Sequence, residues 1–441
     1  MDELATDGMR AQIVELVRLY CGSTAATEPF VPGSSRIPYA GRVYDESEVL
    51  NLIEASLDFW LTHGRYSDEF ERRLASYIGV RHAFFVNSGS SANLLAFMSL
   101  TSPLLGERRV LPGDEVITVA AGFPTTIAPI VQYGATPVFV DVLLETANID
   151  SSLLVGALSG RTKAVMLAHT LGNTFDVAAV VAFCKRHSLW LIEDNCDALG
   201  SRYEGRLTGS FGDIATSSFY PPHHITTGEG GAVYTDDPVL AKIALSMRDW
   251  GRDCTCRSGE DNRCGRRFSG QFGTLPAGYD HKYVYSEWGY NLKATDLQAA
   301  IGCAQLDKLP GFVARRRENF DRLRSALEPI ANKLVLPEAT PGSEPSWFGF
   351  LMIVQDEAIS RDRVVQFLEA AGIQTRMLFG GNMLRQPCFD SMGEDGTAYR
   401  ISGGLSNTDE LMNKAFWVGV YPGLSDAMID YMAEQILAAV R

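Results

Sequence analysis

Four cysteines, Cys196, Cys254, Cys256 and Cys264, follow the spacing C-x57-C-x-C-x7-C. Four thiolates are the usual complement of a 2Fe-2S cluster, and a tetrahedral zinc ion accepts the same set, so the spacing alone admits both. Cys196 stands two residues beyond Asp194, which closes the run Leu191-Ile192-Glu193-Asp194. A carboxylate at the C-terminal end of a buried strand lies where α/β proteins gather their ligands. There it can pair with a protonated pyridine nitrogen or cap the next turn. The remaining cysteines, Cys21, Cys184, Cys303 and Cys388, sit in ordinary surroundings and read as small buried residues.

Two further segments carry chemistry. Asn87-Ser88-Gly89-Ser90-Ser91-Ala92-Asn93 follows the apolar run Ala83 to Val86 and precedes a helical stretch, Leu94 to Leu100. Small residues at a helix N-terminus suit a phosphate, although the same pattern serves as a plain helix cap. Ser218-Phe219-Tyr220-Pro221-Pro222-His223-His224 runs into Gly228-Glu229-Gly230-Gly231 and places two adjacent imidazoles beside a glycine-rich turn.

The elements that must position these groups follow from the apolar pattern. Glu115 to Ala120, Thr136 to Val140, Ala164 to Ala168, Trp190 to Glu193 and Ala232 to Thr235 read as buried strands alternating with helices, which implies a largely parallel sheet covered on both faces. Three parts are expected: an N-terminal helical arm (1–43), a large domain (44–309) and a smaller C-terminal α+β domain (310–441). The Gly-, Arg-, Asp- and Cys-rich segment 252–286 breaks the rhythm and reads as a long functional loop. A helix from Thr295 towards Arg324 should be interrupted near Pro310.

With these residues in view, the chain resembles the DegT, DnrJ, EryC and StrS family of sugar aminotransferases and dehydrases over nearly its whole length. The resemblance implies the aspartate-aminotransferase-like fold (fold type I of the pyridoxal-phosphate enzymes). By position in the family's motifs, Ser88, Gly89, Ser90 and Ser218 would hold the cofactor phosphate. Asp194 would pair with the pyridine nitrogen, and Phe123 would stack on the ring. Asn291, in Gly289-Tyr290-Asn291, would reach the cofactor phosphate of the opposite subunit, which implies a homodimer. Arg376, Asn382 and Arg385 are expected contacts to the substrate's nucleotide diphosphate.

In that family the motif ahead of G-E-G-G carries a lysine, and His223 stands in its place. A lysine both bonds the cofactor and moves protons at its C4' carbon, whereas histidine can do only the second. Pyridoxamine phosphate rather than lysine-bound pyridoxal phosphate is therefore the expected working form, with His223 and Tyr220 as catalytic candidates. The cysteine pattern, with Gly251-Arg252-Asp253-Cys254 and Tyr279-Asp280-His281-Lys282-Tyr283, resembles the iron-sulfur branch of the family, which dehydrates CDP- or TDP-linked 4-keto-6-deoxyhexoses at C3. That resemblance implies a 2Fe-2S cluster on Cys196, Cys254, Cys256 and Cys264. It also implies a separate electron donor, a flavin and iron-sulfur reductase or a ferredoxin-type protein. No G-x-G-x-x-G follows a strand here, so reducing power is expected from another protein. Arg252, Arg257, Arg263, Arg266 and Arg267 make the loop basic, fit to dock an acidic carrier or bind substrate phosphates.

Competing readings are a cluster-free GDP-sugar 3-dehydratase regenerated by glutamate, a sugar aminotransferase, and a non-catalytic or zinc-stabilised relative. The aminotransferase is disfavoured because Lys293 lies in the G-Y-N-L-K segment, away from position 223. The formal net charge of −14 over 441 residues opposes attachment to nucleic acid or an anionic membrane. The first residues, with Asp2, Glu3 and Asp7, do not read as a secretory signal, and no apolar run is long enough to span a bilayer. A cytoplasmic protein is expected.

Overall fold

The computed structural model describes residues 3–24, 29–392 and 398–441. Alternate residues of the central strands fall into two separate apolar clusters: Val116, Ala164, Met166 and Ile192 in one, Ile117, Val165, Leu167 and Leu191 in the other. Successive side chains of a strand point to opposite faces, so strands apolar on both must be covered on both. The result is an eight-stranded sheet whose strands, named by first residue, run in the order His82, Gly231, Ile214, Trp190, Thr162, Glu115, Thr136, Arg400. Only the Gly231–Thr235 strand runs antiparallel to its neighbours, and the other pairings are parallel. This is the mostly parallel large sheet of the aminotransferase-like fold.

The helix Glu3–Thr24 opens the described chain; residues 1, 2 and 25–28 of the expected arm lie outside the described residues. A second, four-stranded antiparallel sheet joins Leu334–Val335, Gly349–Val354, Ala415–Gly419 and Thr375–Arg376. It packs Phe350, Met352, Phe416 and Val418 against Ile429 and Met432 of the helix Asp426–Ala439. Between the sheets runs the helix Asp296–Leu327, continuous through Pro310. The expected interruption is absent because Pro310 lies on the exposed side of the helix, where water serves the carbonyl that its missing N–H leaves. The strand Arg400–Ile401 returns from the C-terminal part to the edge of the large sheet.

Segment 252–286 contains turns and a single short 3₁₀ turn, His281–Tyr283. It is pinned at its base by the bridges Arg252↔Tyr285 and Asp249↔Asn291. Gly251 makes the pinning possible: its φ is +84°, and a Cβ there would lie 1.9 Å from the carbonyl oxygen of Glu287. Among the described residues no helix is long and apolar enough to cross a membrane.

One buried carboxylate ties the sheet to the turn behind it. Glu193 is fully buried and accepts from His169 Nε2 at 3.0 Å and from the backbone N–H groups of Gly209, Phe211 and Gly212 at 2.8, 2.7 and 2.5 Å. The His169 bond is the strongest influence holding its pKa below the ordinary 4.5 against the cost of burial. Glu193→Gln turns an amide N–H₂ towards some of these donors and should cost about 3 kcal/mol or more, read by urea unfolding. Because the folded-state pKa is depressed, the contribution is complete above the unfolded value and is lost as pH falls through the folded one. The gap between wild type and variant should therefore hold steady at neutral pH and narrow in acid; a gap that widens in acid contradicts this account.

Candidate active site

The C-terminal ends of the parallel strands Thr162–Ala168, Trp190–Asp194 and Ile214–Ser218 open onto a cavity of about 730 Å³, at the edge where such sheets bind ligands. Gly89 and Ser90, in the first turn of the helix Gly89–Ser99, line one wall. Ser88 is its N-cap, accepting from Ser91 N at 3.0 Å. Gly89 must lack a side chain, because a Cβ would stand 2.4 Å from Cβ of Ser218 across the cleft. A helix N-terminus, two serines and a glycine that lets the walls close together form a cradle fit for a phosphate. Ser90, Gly89 and Ser218 line it, while the hydroxyl of Ser88 is engaged in the cap.

Asp194 lies at the cavity floor, almost fully buried. Its carboxylate accepts from Asn93 Nδ2 at 2.8 Å, Thr126 Oγ1 at 2.7 Å and Cys196 N at 3.2 Å, and Thr216 in turn donates to Asn93 Oδ1 at 2.7 Å. Phe123, N-cap of the helix Pro124–Tyr133, stays half exposed with its ring over the cavity mouth, edge-on to Phe379.

His223 and Tyr220 both line the cavity. The His223 ring lies 5.3 Å from that of Phe348, and its Nδ1 stands 3.5 Å from Asp197 Oδ1. Burial pulls the His223 pKa down to about 4. Burial and the neighbouring charge of Asp194 push Asp197 up to about 8. Near neutral pH the pair therefore keeps one proton between two buried groups, and the imidazole is uncharged. His224 plays a different part. Fully buried, it donates from Nε2 to the carbonyl of Ser346 at 2.7 Å. Arg316, also fully buried, donates to the carbonyls of His223 and Trp347 at 3.3 and 3.0 Å and holds this turn from behind. Asp197 and Arg316 are site residues that no motif in the sequence points to, whereas Phe348 stands in Ser346-Trp347-Phe348-Gly349-Phe350, a segment that also resembles the family.

Arg376 lines the cavity, its guanidinium 4.0 Å over the ring of Tyr39, but Asn382 and Arg385 do not. Asn382 is buried, accepting from Leu384 N at 3.0 Å and donating to Asp409 at 2.7 Å, while Arg385 pairs with Asp409 at 3.0 Å. Their polar groups serve a turn. Asn291 lies outside this chain's cavity, accepting from Lys293 Nζ at 2.8 Å, near Trp288, which is 95% exposed.

The four cysteines do not converge within the chain. Cys196 lines the catalytic cavity, 4.0 Å from Thr216 Oγ1, and burial together with Asp194 pushes its thiol pKa well above the ordinary value. Cys254, Cys256 and Cys264 line a separate narrow cleft with His281, and the two cavities share no lining residue. Spacing along the chain could not reveal this, since the residues between Cys196 and Cys254 cross the sheet and return. The loop arginines are largely matched: Arg257 pairs with Asp68, Arg267 with Asp280 and Asp261, and Arg252 lies over Trp250.

Residues 43–437 match the DegT/DnrJ/EryC1/StrS aminotransferase family. The chain is 52% identical over 433 residues to the lipopolysaccharide biosynthesis protein RfbH of Salmonella typhimurium, covering 98% of each. It is 53% identical over 408 residues to the dTDP-4-dehydro-2,6-dideoxy-D-glucose 3-dehydratase of Saccharopolyspora spinosa, covering 92% of this chain and 87% of that one. Its fold matches that of E. coli GDP-4-keto-6-deoxy-D-mannose-3-dehydratase with bound hydrated PLP, at a TM-score of 0.81 and 29% identity, over 91% of this chain and 100% of that one.

The geometry makes a titration testable. The His223 ring should stay neutral as pH falls from about 8 to about 5, where an ordinary histidine takes up its proton. Histidine C2 resonances, assigned with His223→Asn, report it by NMR. A His223 signal with a midpoint near 6.5, the ordinary value, contradicts the burial argument.

Proposed function

Because the chain belongs to the DegT/DnrJ/EryC1/StrS aminotransferase family, we propose that it removes the 3-hydroxyl of a nucleotide-linked 4-keto-6-deoxyhexose in deoxysugar biosynthesis, using pyridoxamine phosphate and a 2Fe-2S cluster fed by a separate reductase. The observation that carries the reading is His223, an imidazole kept neutral by burial, at the position where the family's motif has lysine and on the wall of a cavity with a phosphate cradle and a buried Asp194. The names of the relatives above, two of them sugar 3-dehydratases, support the same reaction class.

Pyridoxamine phosphate supplies a primary amine for the sugar's C4 ketone and a ring that takes up electron density. Gly89, Ser90 and Ser218 hold its phosphate, Asp194 pairs with the pyridine nitrogen, and Phe123 covers the ring. His223 takes the proton from the C4' carbon, with the buried Asp197 carboxyl 3.5 Å from its Nδ1. Tyr220, on the same turn, is within the cavity to serve the departing 3-hydroxyl. Arg376 is the cavity's exposed cation for the nucleotide diphosphate. Asn291 and the exposed Trp288 fit contact with a second copy, so a homodimer belongs to the reading.

Replacing a C–OH by C–H consumes two electrons and two protons and releases one water, so net 3-deoxygenation needs a reductant that the sugar does not supply. A 2Fe-2S cluster passes electrons one at a time, and the loop with Cys254, Cys256 and Cys264 offers it thiols. Anaerobic turnover of a 4-keto-6-deoxyhexose nucleotide should therefore give stoichiometric 3-deoxy sugar only when a reductase or reduced ferredoxin is added. Stoichiometric product with glutamate as the only additive would place the protein with the cluster-free GDP-sugar enzymes instead.

The position of His223 is tested separately. His223→Lys should trap pyridoxal phosphate covalently, so that borohydride reduction and peptide mapping find the label on residue 223, while dehydration falls by about two orders of magnitude or more for loss of the general base. No label at 223 would show that the side chain is not at the cofactor.

A further inference from the structure

Arg316 is fully buried, yet every hydrogen bond it makes ends on a backbone carbonyl. Among the described residues no carboxylate pairs with it, its Nε has no hydrogen-bond partner, and Asp197 acts on it only through space. A guanidinium taken out of water on such terms is costly, and an apolar side chain would fill the same space with less penalty. The atoms that it joins explain why it is there.

From the helix Asp296–Leu327, Nη2 donates to the carbonyl of His223 at 3.3 Å, while Nη1 donates to those of Trp347 and Phe348 at 3.0 and 3.5 Å. His224 adds a bond from Nε2 to the carbonyl of Ser346 at 2.7 Å. Three consecutive carbonyls leading into the strand Gly349–Val354 are thus held to the His223 turn by one guanidinium and one imidazole. On its other side the same segment is anchored to the large sheet's turns, Ser346 N donating to Ser201 Oγ at 2.8 Å and Phe348 N to the carbonyl of Leu171 at 2.9 Å. The N–H of His223 goes to the carbonyl of Tyr220 at 2.9 Å. Both backbone groups of His223 are therefore engaged, one within its turn and one with Arg316.

We propose that Arg316 and His224 are positioning residues, a guanidinium-imidazole clasp that fixes the His223 ring against Phe348 and so aims it into the cavity. The proposal rests on the reading of His223 as the group at the cofactor. Arginine suits the task because its planar fork presents donors in two directions, whereas an ammonium is a single point. Arg316 and His224 line a narrow cleft behind the turn, and neither lines the catalytic cavity with its phosphate cradle. Removing either one changes the aim of residue 223 and leaves in place the groups that hold the cofactor. A displacement of about 1 Å at a reacting group is enough to lower a rate by about a hundredfold.

The test takes the full-length His223→Lys protein, freed of cofactor, as the parent and follows covalent capture of pyridoxal phosphate by absorbance and borohydride labelling. Adding Arg316→Ala should slow capture about tenfold or more, while affinity for the non-reactive pyridoxine phosphate stays within about twofold. Millimolar guanidinium should restore much of the rate and methylammonium should not, because the planar fork is what is missing. His224→Ala should slow capture in the same direction, and His224→Gln, whose amide N–H still reaches Ser346, should recover it. With His223 native, Arg316→Ala should lower kcat for dehydration about a hundredfold with KM nearly unchanged. Gel filtration and urea unfolding show whether each variant is folded, and should Arg316→Ala not fold, the two His224 variants decide. A folded variant that captures pyridoxal phosphate at the parent's rate, or loses rate and affinity in step, overturns the inference, as does a loss in Arg316→Ala that guanidinium leaves unchanged. If the parent takes no label at all, the placement of residue 223 has failed before Arg316 is altered, and this inference fails with it.

Discussion

The site is organised by one constraint: Asp194 is a carboxylate taken out of water at the end of a central strand. Three donors, Asn93, Thr126 and the Cys196 backbone, hold it, and with those bonds made it still governs its neighbours. Its charge raises Asp197 and Cys196 and works against the burial that lowers His223. In a low-dielectric pocket one negative charge makes a second costly, so Asp197 and Cys196 are driven to their neutral forms. The neutral Asp197 is thus a consequence of burial and of Asp194 together, whereas His223 stays neutral because burial outweighs the pull of Asp194. A pocket with this charge pattern suits a cationic ring nitrogen on its floor and an uncharged base on its wall.

Much of this was legible in the sequence because it depends on local pattern. The strands Thr136–Val140 and Trp190–Asp194 are short apolar runs bounded by turns, and the helix N-terminus at Gly89 follows from small residues ahead of a helical stretch. Family motifs placed His223, Asp194 and Phe123 on the cavity. The strand Ile214–Ser218 has no such signature, because its Thr and Ser residues give it little apolar character although every residue in it is buried.

What escaped depends on tertiary approach. Asp197 looks like a turn residue until the chain folds it against His223, and Arg316 lies 93 residues from the carbonyl it supports. Asn382 and Arg385 both meet Asp409, a contact made only when the helix carrying that acid packs against their turn. The four-cysteine spacing joins residues that line two separate cavities of this chain.

Glu193 and Asp194 are adjacent, and the pleat of their strand sends them in opposite directions. The first goes back to four hydrogen-bond donors, the second forward to the cavity. A shift of one residue in this strand would exchange them, turning the structural acid into the pocket and the pocket's acid into the turn. A family can vary the loops around this pocket freely, while single-residue insertions or deletions just ahead of this dipeptide should be purged in any lineage that still uses the cofactor.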